Sequence, residues 1–135
     1  MQIMRVERLR TVKYFLMAVL ATGLAAGLGV FGAADDAKPK YTIEEVMEKA
    51  HQGKPSLFKQ VVSGKADADQ KKQLLELYAE LAKNKPEKGE LADWKKRTSS
   101  MVKAAKDVVA NKEGADKELA KAVNCKGCHQ LHKGD

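Results

Sequence analysis

From residue 41 onward the apolar residues recur every three or four positions, the period of a helix with one buried face. Ile43, Val46, Met47 and Ala50 mark the first such face. Thr42 precedes it and Glu45 follows three residues later, a capping box that starts the helix. Gly53 and Pro55 end this segment or kink it. SLFKQVV (56–62) resumes helical spacing, and SGKADAD (63–69) reads as a turn. A second long helix is predicted from about Asp69 to Lys85, with Leu74, Leu77, Tyr78 and Leu81 in one stripe. Pro86 stops it and PEKGE (86–90) is a loop. The third helix, about Leu91 to Ala110, carries Leu91, Trp94, Thr98, Met101, Val102, Ala105, Val108 and Val109. After a break at Asn111 to Gly114, Asp116 caps a fourth helix. Leu119, Ala122 and Val123 face inwards on it, and its far end is the chain terminus, VNCKGCHQLHKGD. No segment alternates as a strand does. Four amphipathic helices on short loops predict an all-α fold, an antiparallel four-helix bundle over residues 42–135.

The segment before this pattern is different. Arg5, Arg8, Arg10 and Lys13 precede an uncharged run from Tyr14 to Ala34, and Gly32 and Ala34 place small residues before Asp35. Residues 1–34 therefore read as a secretory signal peptide, the alternative being an uncleaved membrane anchor. No cysteine lies near the cleavage point, which argues against a lipoprotein. Residues 35–41 read as a flexible lead-in. Export to the periplasm follows from the signal. Composition agrees with helices: aromatics are 5% and prolines number three. The whole chain carries 25 basic and 18 acidic side chains. Removing the signal, with four of the former and one of the latter, leaves a net charge of +4. The lysines are interspersed with acids, as on solvated helix faces. There is no basic block or helix-turn-helix signature, so nucleic acid is not an expected partner. A membrane is one only if the signal stays attached.

Candidate chemistry is concentrated at the end. Both cysteines of the chain and two of its three histidines lie there. Cys125-Lys126-Gly127-Cys128-His129 is C-x-x-C-H, the attachment pattern for c-type haem. Positions i, i+3 and i+4 share a helix face, so two thiols can bond the two vinyl groups while the adjacent histidine ligates iron from the proximal side. The expected cofactor is one covalent haem c held by Cys125 and Cys128 with His129 on the iron. Three rivals exist. A structural disulfide suits an exported protein but needs no histidine. A redox dithiol normally sits in a βαβ context, absent from the pattern. Zinc would need four converging ligands, and Cys125, Cys128, His129 and His132 on a single helix surround an ion poorly.

Only six residues follow His129, so a sixth iron ligand must come from upstream. The expected signal removed, the methionines are Met47 and Met101. Met101 sits mid-stripe and reads as core filler. His132 is three residues from His129 and projects from the same face; it is expected at the haem edge with Lys133. Met47 and His51 lie one turn apart on one face of the first helix, and either could sit over the distal iron. Met47 is preferred because it lies within the apolar stripe. His51 is the alternative, and its other reading is a helix-end histidine near the last carbonyls.

With NCKGCHQLHK at the terminus, DKELAKAV before it and ADWKKRTSSMVKAAKDVV on the third helix, most of residues 41–133 resembles the class II c-type cytochromes: cytochrome c′ and its six-coordinate low-spin relatives. The resemblance implies haem on Cys125 and Cys128, a proximal His129, and a distal residue from the first helix. That residue is apolar in cytochrome c′, leaving the iron open. It is methionine in the low-spin relatives, which Met47 could match. The resemblance also implies a possible homodimer through the first helices. Two positions depart from the family pattern: His132, where an apolar side chain usually stands, and the break at Gly53-Lys54-Pro55.

The expected function is that of a periplasmic electron carrier, docking an acidic redox protein through Lys121, Lys126 and Lys133. The alternatives are a five-coordinate cytochrome c′ that binds nitric oxide or carbon monoxide, and a haem-free helical protein with a disulfide or metal. No nucleophile–base set or carboxylate pair suggests an enzyme.

Overall fold

The computed structural model describes residues 38–134, which form six helices and, among themselves, no strand. The expected signal segment, and 35–37 of the lead-in, lie outside the described residues. The fold is all-α, and no described helix is long and apolar enough to cross a membrane.

Helix α1 (Ile43–His51) begins as its sequence demands. The Thr42 side chain accepts from the Glu45 N–H at 3.2 Å, and the Glu45 carboxylate accepts from the Thr42 N–H at 2.8 Å. The lead-in is tied down at its end: the Lys40 N–H donates to Glu80 at 2.6 Å, and the Tyr41 carbonyl accepts from Asn84 at 3.0 Å. After the turn at Gly53–Ser56, Ser56 caps the short helix α2 (Leu57–Val62). Helix α3 (Ala68–Lys83) starts one residue before the sequence expectation, because Asp67 and Gln70 form a second capping box. It ends two residues earlier than expected, where Asn84 turns its side chain back to the Glu80 carbonyl at 2.9 Å.

Helix α4 (Leu91–Val109) is the longest element and makes its broadest packing with α3. The two run antiparallel: Lys71 near the start of α3 donates to Asn111 just past the end of α4 at 3.0 Å. Their shared interior holds Leu74, Leu77, Tyr78 and Leu81 against Trp94, Met101, Ala105 and Val108, all under 8% exposed. Burial of one such large side chain stabilises by about 1.5–3 kcal/mol. Thr98 joins this core at 1% exposure because its hydroxyl donates to the Trp94 carbonyl at 2.9 Å.

The expected single fourth helix is two helices. Helix α5 (Ala115–Ala122) is entered through Gly114 in the left-handed region at φ 71°, so Asp116 lies in the first turn and is not the cap. Helix α6 (Cys125–His132) follows a break at Val123 and Asn124, with ψ values of 78° and 81°. The cause is Asn124, whose Oδ1 accepts from the Gly127 N–H at 2.9 Å. A side chain that satisfies an orphan N–H of a new helix stops the old one from running on. Gly127 makes this cap possible: a Cβ there would lie 2.7 Å from Asn124 Nδ2.

Candidate functional site

A cavity of about 550 Å³ opens between α1, α4 and α6. This size is typical of small-molecule and cofactor pockets. Helix α1 contributes Ile43, Met47 and His51, and α4 contributes Trp94, Arg97, Thr98 and Met101. Helix α6 contributes Cys125, Cys128, His129 and His132. Every candidate ligand named from the sequence therefore meets in one place. Helices α1 and α6 both line the cavity without packing on each other; α6 is held to the domain by α4.

The two cysteines are free thiols, Cys125 exposed and Cys128 half-buried. Burial pushes the Cys128 thiol above its ordinary pKa, with Asp93 and Cys125 adding to the effect and Arg97 opposing it. His129 is exposed on the cavity wall of α6.

Met47 is partly buried against the core. His51 is more constrained. Its ring stacks on Tyr78 at 5.8 Å and meets Phe58 at 5.3 Å, and Tyr78 Oη lies 3.4 Å from its Nε2. Burial lowers its pKa below the ordinary histidine value, and the nearby His129 lowers it further. The same burial drives the Tyr78 phenol far upward, with Cys125 contributing, so Tyr78 stays a neutral hydroxyl. His51, Cys125 and His129 all line the cavity, with Tyr78 buried against the His51 ring.

His132 lines the cavity and is anchored through both ring nitrogens. It is 3% exposed and bridges two loop-proximal groups, with Nε2 2.8 Å from Asp93 and Nδ1 3.1 Å from the Lys88 carbonyl. Its ring meets Trp94 edge-on at 5.4 Å. The sequence showed which face of α6 His132 occupies, but not that residues 39 and 44 positions upstream would close over it. This arrangement also weakens a zinc reading, since both ring nitrogens are engaged. Among the described residues no three His, Cys, Asp or Glu side chains converge as a metal cluster.

Trp94 and Arg97 were not singled out from the sequence as site residues. Trp94 is 3% exposed, and its Nε1 is buried with no hydrogen-bond partner among the described residues. Arg97 pairs through Nε with Asp93 at 2.5 Å, which holds the Asp93 carboxyl below its usual range together with His132. Exposed Lys126 lies within the motif and exposed Lys133 follows it, whereas Lys121 is engaged by Glu118 at 2.8 Å. Compared with protein-family models, curated proteins and solved structures, the chain finds no match.

Proposed function

We propose that this chain is an exported monohaem c-type cytochrome of class II, an electron carrier with one haem c attached through Cys125 and Cys128. The observation that carries the reading is the cavity itself. C-x-x-C-H lines it from α6, and the two candidate distal ligands line it from α1, a helix that does not pack on α6. The residues fit a porphyrin: two free thiols, an imidazole, walls of Ile43, Met47 and Met101, and an unpaired buried indole donor. On this reading the domain is an antiparallel four-helix bundle in which α1–α2 form one member, α3 and α4 two more, and α5–α6 the last.

When bound, the haem supplies a one-electron Fe(III)/Fe(II) couple. The chain's own residues do the rest. Cys125 and Cys128 hold the porphyrin edge, and His129 ligates iron from α6. Met47 is the favoured distal ligand, because its thioether is uncommitted while Tyr78 and Phe58 engage the His51 ring. His51 has one point in its favour, its closeness to His129. The apolar walls exclude water, and Lys126 and Lys133 offer positive charge to an acidic redox protein.

A second reading, a five-coordinate cytochrome c′ taking up nitric oxide or carbon monoxide, gains from the same commitment of His51, which leaves Ile43 and Met47 as a mainly apolar distal wall. Absorption spectra of the oxidised and reduced protein separate the readings. A low-spin spectrum that Met47→Ala turns high-spin supports the His/Met carrier; loss of the low-spin form in His51→Ala alone supports the His/His carrier. A high-spin ferrous form that binds carbon monoxide at once, unchanged in Met47→Ala, supports the gas binder. Absence of covalent haem after denaturation would sink both and leave the haem-free helical protein.

A further inference from the structure

We propose that Trp94 and Arg97 form an anchor for a haem propionate, Trp94 donating through Nε1 and Arg97 supplying positive charge. The inference rests on the haem reading above and concerns residues outside the attachment motif.

Trp94 carries the argument. An indole nitrogen can only donate. A buried donor with no acceptor is rare in a folded protein and points to a missing partner. Among the described residues Trp94 Nε1 is the only buried side-chain nitrogen or oxygen without one. The residue borders the cavity, so a guest that displaces the atoms covering Nε1 can provide the acceptor.

Arg97 lies one turn further along α4 and borders the same cavity. Its Nε is engaged by Asp93, while its Nη atoms make no hydrogen bond among the described residues. A guanidinium presents paired donors suited to a carboxylate. Asp93 is already shared between Arg97 and His132, so it is not the acceptor that Trp94 lacks.

The position agrees with porphyrin chemistry. Thioethers form at the vinyl edge, and the two propionates leave from the far edge. Cys125 opens α6, whereas the Trp94 ring meets His132 at the other end of that helix. Lys133 at that end adds positive charge, while Glu44 and Glu87 line the cavity and Asp93 sits against Arg97 and His132. With three acids present, the propionate needs directed donors, not a general basic surface.

The test uses the full chain matured with its haem. A haem stain of the denatured protein comes first; no covalent haem would overturn both this anchor and its parent reading. Trp94 is the chain's single tryptophan, so its indole N–H gives one unambiguous NMR signal. In the diamagnetic ferrous protein, with carbon monoxide added if that iron is high-spin, this proton should exchange slowly and show cross-relaxation to propionate methylene protons. In Trp94→Phe and Arg97→Gln the propionate bending band in the resonance Raman spectrum should shift, with axial-ligand bands unchanged. Arg97→Gln should also lower the midpoint potential, since losing a cation favours ferric haem. A fast-exchanging indole without that cross-relaxation, in protein that carries haem, overturns the anchor and leaves the cytochrome reading standing. The wild-type measurement decides even where Trp94→Phe does not fold.

Discussion

The Asn124–Gly127 cap sets where α6 begins, and a double-mutant cycle tests it. Asn124→Ala removes the side-chain acceptor of the Gly127 N–H, at a cost of about 1 kcal/mol for a lost N-cap. Gly127→Ala acts differently. The new Cβ would meet Asn124 Nδ2 at 2.7 Å and its Cγ at 3.0 Å, so the cap must open and the same stabilisation is lost. Against that, alanine is a better helix former than glycine by up to about 1 kcal/mol. The single variant Gly127→Ala should therefore be nearly neutral. With Asn124 already alanine, no cap remains to disturb, and the three nearest atoms that opposed the Cβ are gone. Gly127→Ala should then stabilise by roughly 0.5–1 kcal/mol. The coupling is about 1 kcal/mol, larger than the ~0.3–0.5 kcal/mol scatter expected of independent sites. Urea unfolding followed by circular dichroism measures each corner of the cycle. In a domain of this size about 1 kcal/mol corresponds to ~4–8 °C in Tm, so thermal melts give an independent reading. Strict additivity, with Gly127→Ala having the same effect in both backgrounds, would refute the reasoning.

Three further outcomes follow from the packing and the charges. Leu119→Ala, at a side chain with 0% exposure, should destabilise by about 2–5 kcal/mol in urea; a loss under about 1 kcal/mol would contradict the burial of α5. Gly89→Ala should destabilise by about 1–3 kcal/mol, because φ is 83° and the Cβ would lie 2.5 Å from the Leu131 carbonyl; an unchanged Tm would mean that the loop does not close over α6 as described. Stability should fall on acidification. Asp93, Asp107 and Glu118 have folded pKa values below their unfolded ones, so their contribution is present above about pH 4.5 and is lost as pH drops through the folded values. His51 adds an earlier decline: its folded pKa is lowered, so below pH ~6.5 the unfolded chain takes up the proton first. Stability flat from pH 7 to pH 3, or a His51 NMR titration midpoint at or above 6.5, would contradict these assignments.

What could be read from the sequence was what is local. The Thr42–Glu45 box and the four-residue stripe of α3 each lie within a few turns, and each predicted its element. The α5–α6 break was hidden because Leu119, Ala122 and Val123 continue a helical period up to it. Only the competition of Asn124 for a backbone N–H, made possible by the missing side chain at position 127, decides against one long helix. The partners of His132 and Trp94 were not legible for another reason. Their neighbours lie on other elements, and periodicity says which face is apolar without saying what will cover it.

The capped, separate α6 has a consequence for how unfolding would be seen. Among the helices this eight-residue one packs on α4 alone, with the loop before α4 as its other support, while α3, α4 and α5 share the main interior. Segments with few packed partners open before the domain does. A chromophore fixed to α6 would then register the departure of that helix, and its colour would change before the helical content of the chain. Visible absorbance and far-ultraviolet circular dichroism would give two unfolding curves, and the gap between them would measure how firmly the last helix is docked.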